Sequence, residues 1–60
     1  MVPPDTKITD APLSMRAKNC LTYIDIWTTG EAAAKSNSEL LQTYNLGVRT
    51  LREIRDVCGG

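Results

Sequence analysis

Sixty residues with seven basic side chains, seven acidic ones and 42% apolar content describe one small domain of zero net charge. Such a chain sits near the lower size limit for folding without staples. The balance excludes a strongly basic, generic nucleic-acid binder, and no apolar run approaches the length of a membrane span.

With no histidine and two cysteines, Cys20 and Cys58, the chain has no ordinary zinc set and no disulfide framework. Both thiols are expected to be reduced, with Cys20 serving as a small buried hydrophobe. The start, MVPPDTKITDAP, lacks a basic segment followed by an apolar one, so no signal peptide is expected and the chain reads as intracellular. Catalysis has no convincing nucleophile–base pair to work with, so the reading is of a non-enzyme. No cofactor, metal or small-molecule ligand is expected.

All three prolines fall within residues 1–12. That composition predicts an extended arm or linker, with a short helical turn around Ile8-Thr9-Asp10. Residues 13–60 then form the domain proper. Ser14 is the N-cap of a first helix predicted over Met15 to Asp25. Ala17, Cys20, Leu21 and Ile24 recur at i, i+3, i+4 and i+7 as its buried stripe. Arg16, Asn19 and Tyr23 line a second face of that helix. Ile26 and Trp27 follow in a connector that covers the edge of the core.

Thr28-Thr29-Gly30-Glu31 and Ser36-Asn37-Ser38-Glu39 are both capping boxes, with a hydroxyl residue three positions before a Glu. They predict two short helices, Gly30–Lys35 and Asn37–Tyr44, which need tertiary packing to persist. Asn45-Leu46-Gly47 forms a tight corner in which Leu46 points into the core and Gly47 lets the backbone turn. The last helix, Val48 to Cys58, is expected to bury Val48, Leu51, Ile54 and either Val57 or Cys58. Gly59-Gly60 terminates it. The fold class is therefore all-α, a compact bundle of four short helices behind a proline-containing arm.

From Asn45 to Arg55 the sequence carries three Arg and one Glu, a local basic surface on a neutral protein. The first amides of the last helix lack intrahelical acceptors and suit an anion such as phosphate. Arg49 lies in that first turn, where an acid would be usual, and Thr50 follows it. The alternative is a solvated face on which Arg49 pairs with Glu53, and Arg52 with Asp56, at i, i+4. Arg16 and Asn19 are side-chain types that enter DNA grooves, Arg especially in narrow A·T-rich minor grooves.

LSMRAKNCL followed by NLGVRTLREI resembles the C-terminal domain of the bacterial RNA polymerase alpha subunit, a helix-hairpin-helix-type (SAM-like) fold. The intervening TTGEAAAKSNSELL is similar to that family as well, capping boxes included. The resemblance runs over about residues 8–58 without a gap. It implies that Arg16 enters the minor groove of A·T-rich DNA and that Asn19 helps contact the DNA. It further implies that Gly47 presents backbone to phosphate, with Arg49 and Thr50 in place of the family's Lys and Ser, and that Glu53 organises the surface that also meets activators.

The resemblance has departures. Val48 replaces a family lysine, Pro12 stands where an acidic residue of the sigma-contacting patch is often found, and Ala32, Ala33 and Ala34 replace large aliphatics. The resemblance implies DNA binding in transcription, in the bacterial cytoplasm at the nucleoid, and the few positive charges predict that this binding is weak. The competing function is a protein-interaction module for a transcription regulator or RNA polymerase component, with DNA binding reduced or lost.

Overall fold

The computed structural model describes residues 2–43 and 45–59. A 3-10 turn, Ile8–Asp10, precedes four helices: α1 (Met15–Tyr23), α2 (Thr29–Ala34), α3 (Asn37–Leu41) and α4 (Val48–Cys58). Among the described residues the only extended pairing is an isolated antiparallel bridge between Lys7 and Thr28. Helix α4 packs against α1, α2 and α3 and so forms the centre of the domain.

Each helix starts where its cap dictates. The Ser14 hydroxyl accepts from the Ala17 amide and opens α1. Both capping boxes form: Thr28 and Glu31 satisfy each other's backbone amides at α2, as do Ser36 and Glu39 at α3. The i, i+4 ion pair Lys35–Glu39 at 3.8 Å adds a few tenths of a kcal/mol at most, being exposed.

Helix α1 ends two residues before the expected Asp25. The Ile26 and Asp25 amides turn back to the Leu21 and Thr22 carbonyls, and Asp25 takes the left-handed conformation (φ 61°) usually given to glycine. Buried Ile26 packs beside Leu21 in the core as this motif requires. Helix α3 ends at Leu41, with Gln42 as its C-cap; Tyr44, its expected last residue, lies outside the described residues. Gly59 caps α4 at φ 82°, and Gly60 likewise lies outside the described residues.

The core is aliphatic: Ile8, Ala17, Leu21, Ile26, Ala32, Leu40, Leu46 and Ile54 are buried, with Cys20 and Cys58 among them. Burying a side chain the size of Leu21 or Ile54 is worth about 1.5–3 kcal/mol. Neither cysteine is in a disulfide, and burial pushes both thiols above their ordinary range, so both stay protonated at neutral pH.

Two expectations are corrected. Val48 is 66% exposed and not part of the core. The buried stripe of α4 runs through Thr50, Ile54 and Cys58, with Leu51 and Val57 at its flanks. At 100° per residue Val48 lies about 120° from that stripe's centre.

The N-terminal segment is also not a separate arm. Ile8 and Ala11 are core residues. Val2 donates to the Val57 carbonyl at 3.0 Å, while the Pro4 carbonyl accepts from Gly30 at 2.8 Å and the Pro3 carbonyl from the Thr29 hydroxyl at 2.7 Å. Proline lacks an amide but keeps its carbonyl, and these carbonyls serve the open start of α2. The close approach requires glycine at position 30, where a Cβ would lie 2.8 Å from the Pro4 oxygen.

The capping boxes also predict an acid limb in the stability of the fold. The Glu31 carboxyl is held below its ordinary 4.5 chiefly by the Trp27 amide and then by the Thr28 side chain. That of Glu39 is lowered by the Ser36 amide and hydroxyl. A depressed folded-state value gives stability that is complete above the unfolded value and lost as pH falls through the folded one. Urea unfolding followed from pH 7 downward should therefore show stability declining below about pH 4.5, the ordinary value. A double variant, Glu31→Gln with Glu39→Gln, should flatten that decline, and an unchanged acid limb would assign it to other groups.

Candidate nucleic-acid interface

The candidate surface is built from the starts of α1 and α4. Arg16 occupies the second position of α1 and Asn19 follows one turn later; both are solvent-accessible. Neither side chain has a hydrogen-bond or ion-pair partner among the described residues, and the first turn of α1 has no acid. With Cys20, Tyr23 and Asn45 they line an open groove of about 500 Å³.

Asn45 connects the groove to α4. It takes the left-handed conformation, φ 65°, whereas Gly47 sits in ordinary extended backbone at φ −98°, ψ −178°. The sharp turn expected of Gly47 is thus made by Asn45, a residue type that tolerates this region through local hydrogen bonding. Leu46 is buried as expected and its amide donates to the Thr43 carbonyl at 3.1 Å, pinning the corner.

Gly47 is the N-cap of α4 and offers no side-chain acceptor. The first intrahelical bond is from the Leu51 amide to the Gly47 carbonyl, 2.9 Å, leaving the amides of Val48, Arg49 and Thr50 without intrahelical acceptors. At α2 and α3 a hydroxyl takes up the corresponding third amide. A Cβ built on Gly47 meets nothing within 4 Å, so the approach to these amides is open. Arg49 is exposed beside them. Thr50 lies on the inner face of α4, four residues before Ile54, and only 8% of it is exposed. Its hydroxyl is therefore less available to an outside ligand than the sequence implies.

Glu53 ties the start of α1 to the middle of α4. Its carboxylate accepts from the Ser14 amide at 2.7 Å and from the Ser14 hydroxyl at 2.8 Å. Position 17, which would bear the acid of a capping box at α1, is alanine; Glu53 supplies that acid from another helix. With Glu53 engaged there, the Arg49–Glu53 and Arg52–Asp56 pairs of the alternative reading do not form, and Arg49 and Arg52 have no ion-pair partner among the described residues. Local sequence spacing gives no signal of the Ser14–Glu53 contact, and Asn45 is hidden inside what reads as a simple corner. Tyr23 is visible from spacing as the third member of the Arg16 face.

Fold and surface together define a class: a small all-α, helix-hairpin-helix-type domain whose uncapped, arginine-bearing helix start adjoins a grooved face. The protein belongs to the family of C-terminal domains of the bacterial RNA polymerase alpha chain, whose sequence model its residues 4–58 match. It is similar to the DNA-directed RNA polymerase subunit alpha of Nitratidesulfovibrio vulgaris (strain DP4), with 46% identity over 52 residues. The same subunit of Oleidesulfovibrio alaskensis (strain ATCC BAA-1058 / DSM 17464 / G20) gives an equal identity over an equal length. In both, the match covers 87% of this chain but 15% of the relative, so the sequence spans a small part of those subunits. No solved structure gives a significant match.

Proposed function

We propose that the domain binds DNA in transcription, placing Arg16 in an A·T-rich minor groove and holding the adjoining phosphates at the start of α4. The observation that carries this reading is the juxtaposition of two unengaged side chains, Arg16 and Asn19, with a helix start whose amides lack acceptors. Arginine suits a narrow A·T-rich groove, where the negative potential is enhanced. The open amides and the Arg49 guanidinium suit phosphate. In this arrangement Asn19 assists at the strand, Gly47 lets the backbone approach closely, and Thr50 contributes through its amide more than its hydroxyl. Glu53 positions both helices.

Affinity is weak, because few cations face the ligand and the net charge is zero, and the slope against salt is correspondingly shallow, about one power of salt per phosphate neutralised. The role is non-catalytic, and its setting is the bacterial nucleoid beside RNA polymerase. No helix among the described residues is long and apolar enough to cross a membrane.

A second reading has its own support. Val48 leaves an exposed apolar side chain where the family resemblance implies a lysine, and Trp27 in the connector is 53% exposed. Both favour a domain that docks a transcription regulator or another polymerase component instead of DNA.

An NMR titration with an A-tract duplex and a G·C-rich duplex at two salt concentrations separates the readings. DNA binding shifts Arg16, Asn19 and residues 47–50, more with the A-tract and less at high salt. No shifts at low salt would leave the protein-docking reading standing alone.

Gly47 gives a sharper test, since its role in the fold and its role at the surface come apart. Its backbone is open to any residue and its Cβ position is empty. Gly47→Ala should therefore cost no more than about 1 kcal/mol of stability, the difference between glycine and alanine at an N-cap. Its methyl group would nevertheless stand between the open amides and a phosphate. Duplex affinity measured by fluorescence anisotropy should fall roughly tenfold, in line with the loss of one charge-assisted hydrogen bond.

A further inference from the structure

Tyr23 is the last residue of α1 and 75% exposed, yet it lines the same groove as Arg16 and Asn19. It is seven residues, or about 10 Å of helix, beyond Arg16 on the same face. The minor groove of B-DNA is about 6 Å wide. With α1 laid across the groove, a side chain that far from one seated in it reaches past the groove wall to the sugar–phosphate strand. Among the described residues lining this end of the groove, Tyr23 is the one with a hydroxyl, and tyrosine is among the side chains that donate to phosphate oxygens.

We propose that Tyr23 extends the DNA site, its phenolic hydroxyl donating to a phosphate of the strand that borders the groove entered by Arg16. This rests on the DNA-binding reading above. Because phosphate contacts position a protein without reading sequence, Tyr23 adds affinity but no A·T preference. As a neutral donor it also leaves the number of released counterions unchanged.

The test is fluorescence anisotropy with the A-tract and G·C-rich duplexes at several salt concentrations, on wild type, Tyr23→Phe, Tyr23→Ala and Arg16→Ala. Thermal unfolding checks that each variant folds; the exposure of Tyr23 makes Phe the safest change. Tyr23→Phe should lower both affinities roughly tenfold, the lower end of the range for a hydrogen bond to a charged acceptor. The ratio between duplexes and the slope against salt should both stay at the wild-type value.

Unchanged affinity in both Tyr23 variants, with Arg16→Ala weakened, overturns this inference and leaves the DNA-binding reading intact. A loss of A·T preference in Tyr23→Phe overturns the assigned phosphate role. Full affinity in Phe but not in Ala overturns the hydroxyl in favour of ring packing. No binding by the wild type removes the DNA reading and this inference together.

Discussion

Arg16→Ala should lower affinity for an A-tract duplex roughly ten- to hundredfold, the scale of one good groove contact. The loss should be much smaller for the G·C-rich duplex, so the ratio between the two collapses toward one. The slope of log affinity against log salt should also fall by about one, because a cation near the phosphates has gone. Stability should stay within about 0.5 kcal/mol of wild type, since Arg16 is exposed and its side chain makes no hydrogen bond or ion pair with another described residue.

Arg16→Lys separates charge from shape. A compact, strongly hydrated ammonium keeps the charge but loses the planar, more weakly hydrated guanidinium that suits a narrow groove. The salt slope should therefore survive while the A·T preference does not. Equal behaviour of the arginine, lysine and alanine proteins would remove Arg16 from the interface.

The second large effect concerns stability. Arg55 projects from α4, where its Nε donates to the Asn37 side chain at 2.8 Å and its Nη1 to the carbonyls of Ala32 (3.2 Å) and Gly59 (3.1 Å). Nη2 donates to the Lys35 carbonyl. One guanidinium thus ties the end of α2, the start of α3 and the C-cap of α4 to a single point. Neither α2 nor α3 is long enough to hold itself together.

Arg55→Ala should cost about 2–3 kcal/mol, allowing for partial exposure and for the non-additivity of bonds made by one group. For a domain of this size that corresponds to a fall in Tm of roughly 10–20 °C. Lysine should recover only part of it, because one ammonium cannot span acceptors set around a planar fork. A change below about 0.5 kcal/mol in urea unfolding would show the clamp to be incidental.

Much of the fold is legible in the sequence, for identifiable reasons. Ser14, Thr28 and Ser36 are local signals with local consequences, and each cap forms at its expected place. The bounds of α4 follow equally locally from Gly47 and Gly59. What stays hidden depends on contacts between residues distant in sequence. Val48 reads as core because valine is apolar, but the phase of α4 is set by Thr50, and a buried threonine is not a pattern that apolar periodicity detects.

Prolines at 3 and 4 read as a linker because they break local structure. Their carbonyls, however, are acceptors for Thr29 and Gly30, more than twenty residues onward. Arg55 gives no sign of its four acceptors, three of them backbone carbonyls that have no side-chain identity. At the candidate interface, residue type singles out Arg16, Asn19, Gly47 and Arg49. It cannot show that Asn45 makes the turn, or that Glu53 faces Ser14 and not Arg49.

The Ser14–Glu53 contact bears on the thermodynamics of recognition. A ligand that touches α1 and α4 together meets two helices already joined, so little backbone entropy remains to be lost when it binds. Rigidity of that kind compensates for a small number of cations: association can be modest in enthalpy and still be specific in geometry. Loosening the joint, as Glu53→Ala would, then weakens recognition through disorder in the free protein, without removing any atom that the ligand touches.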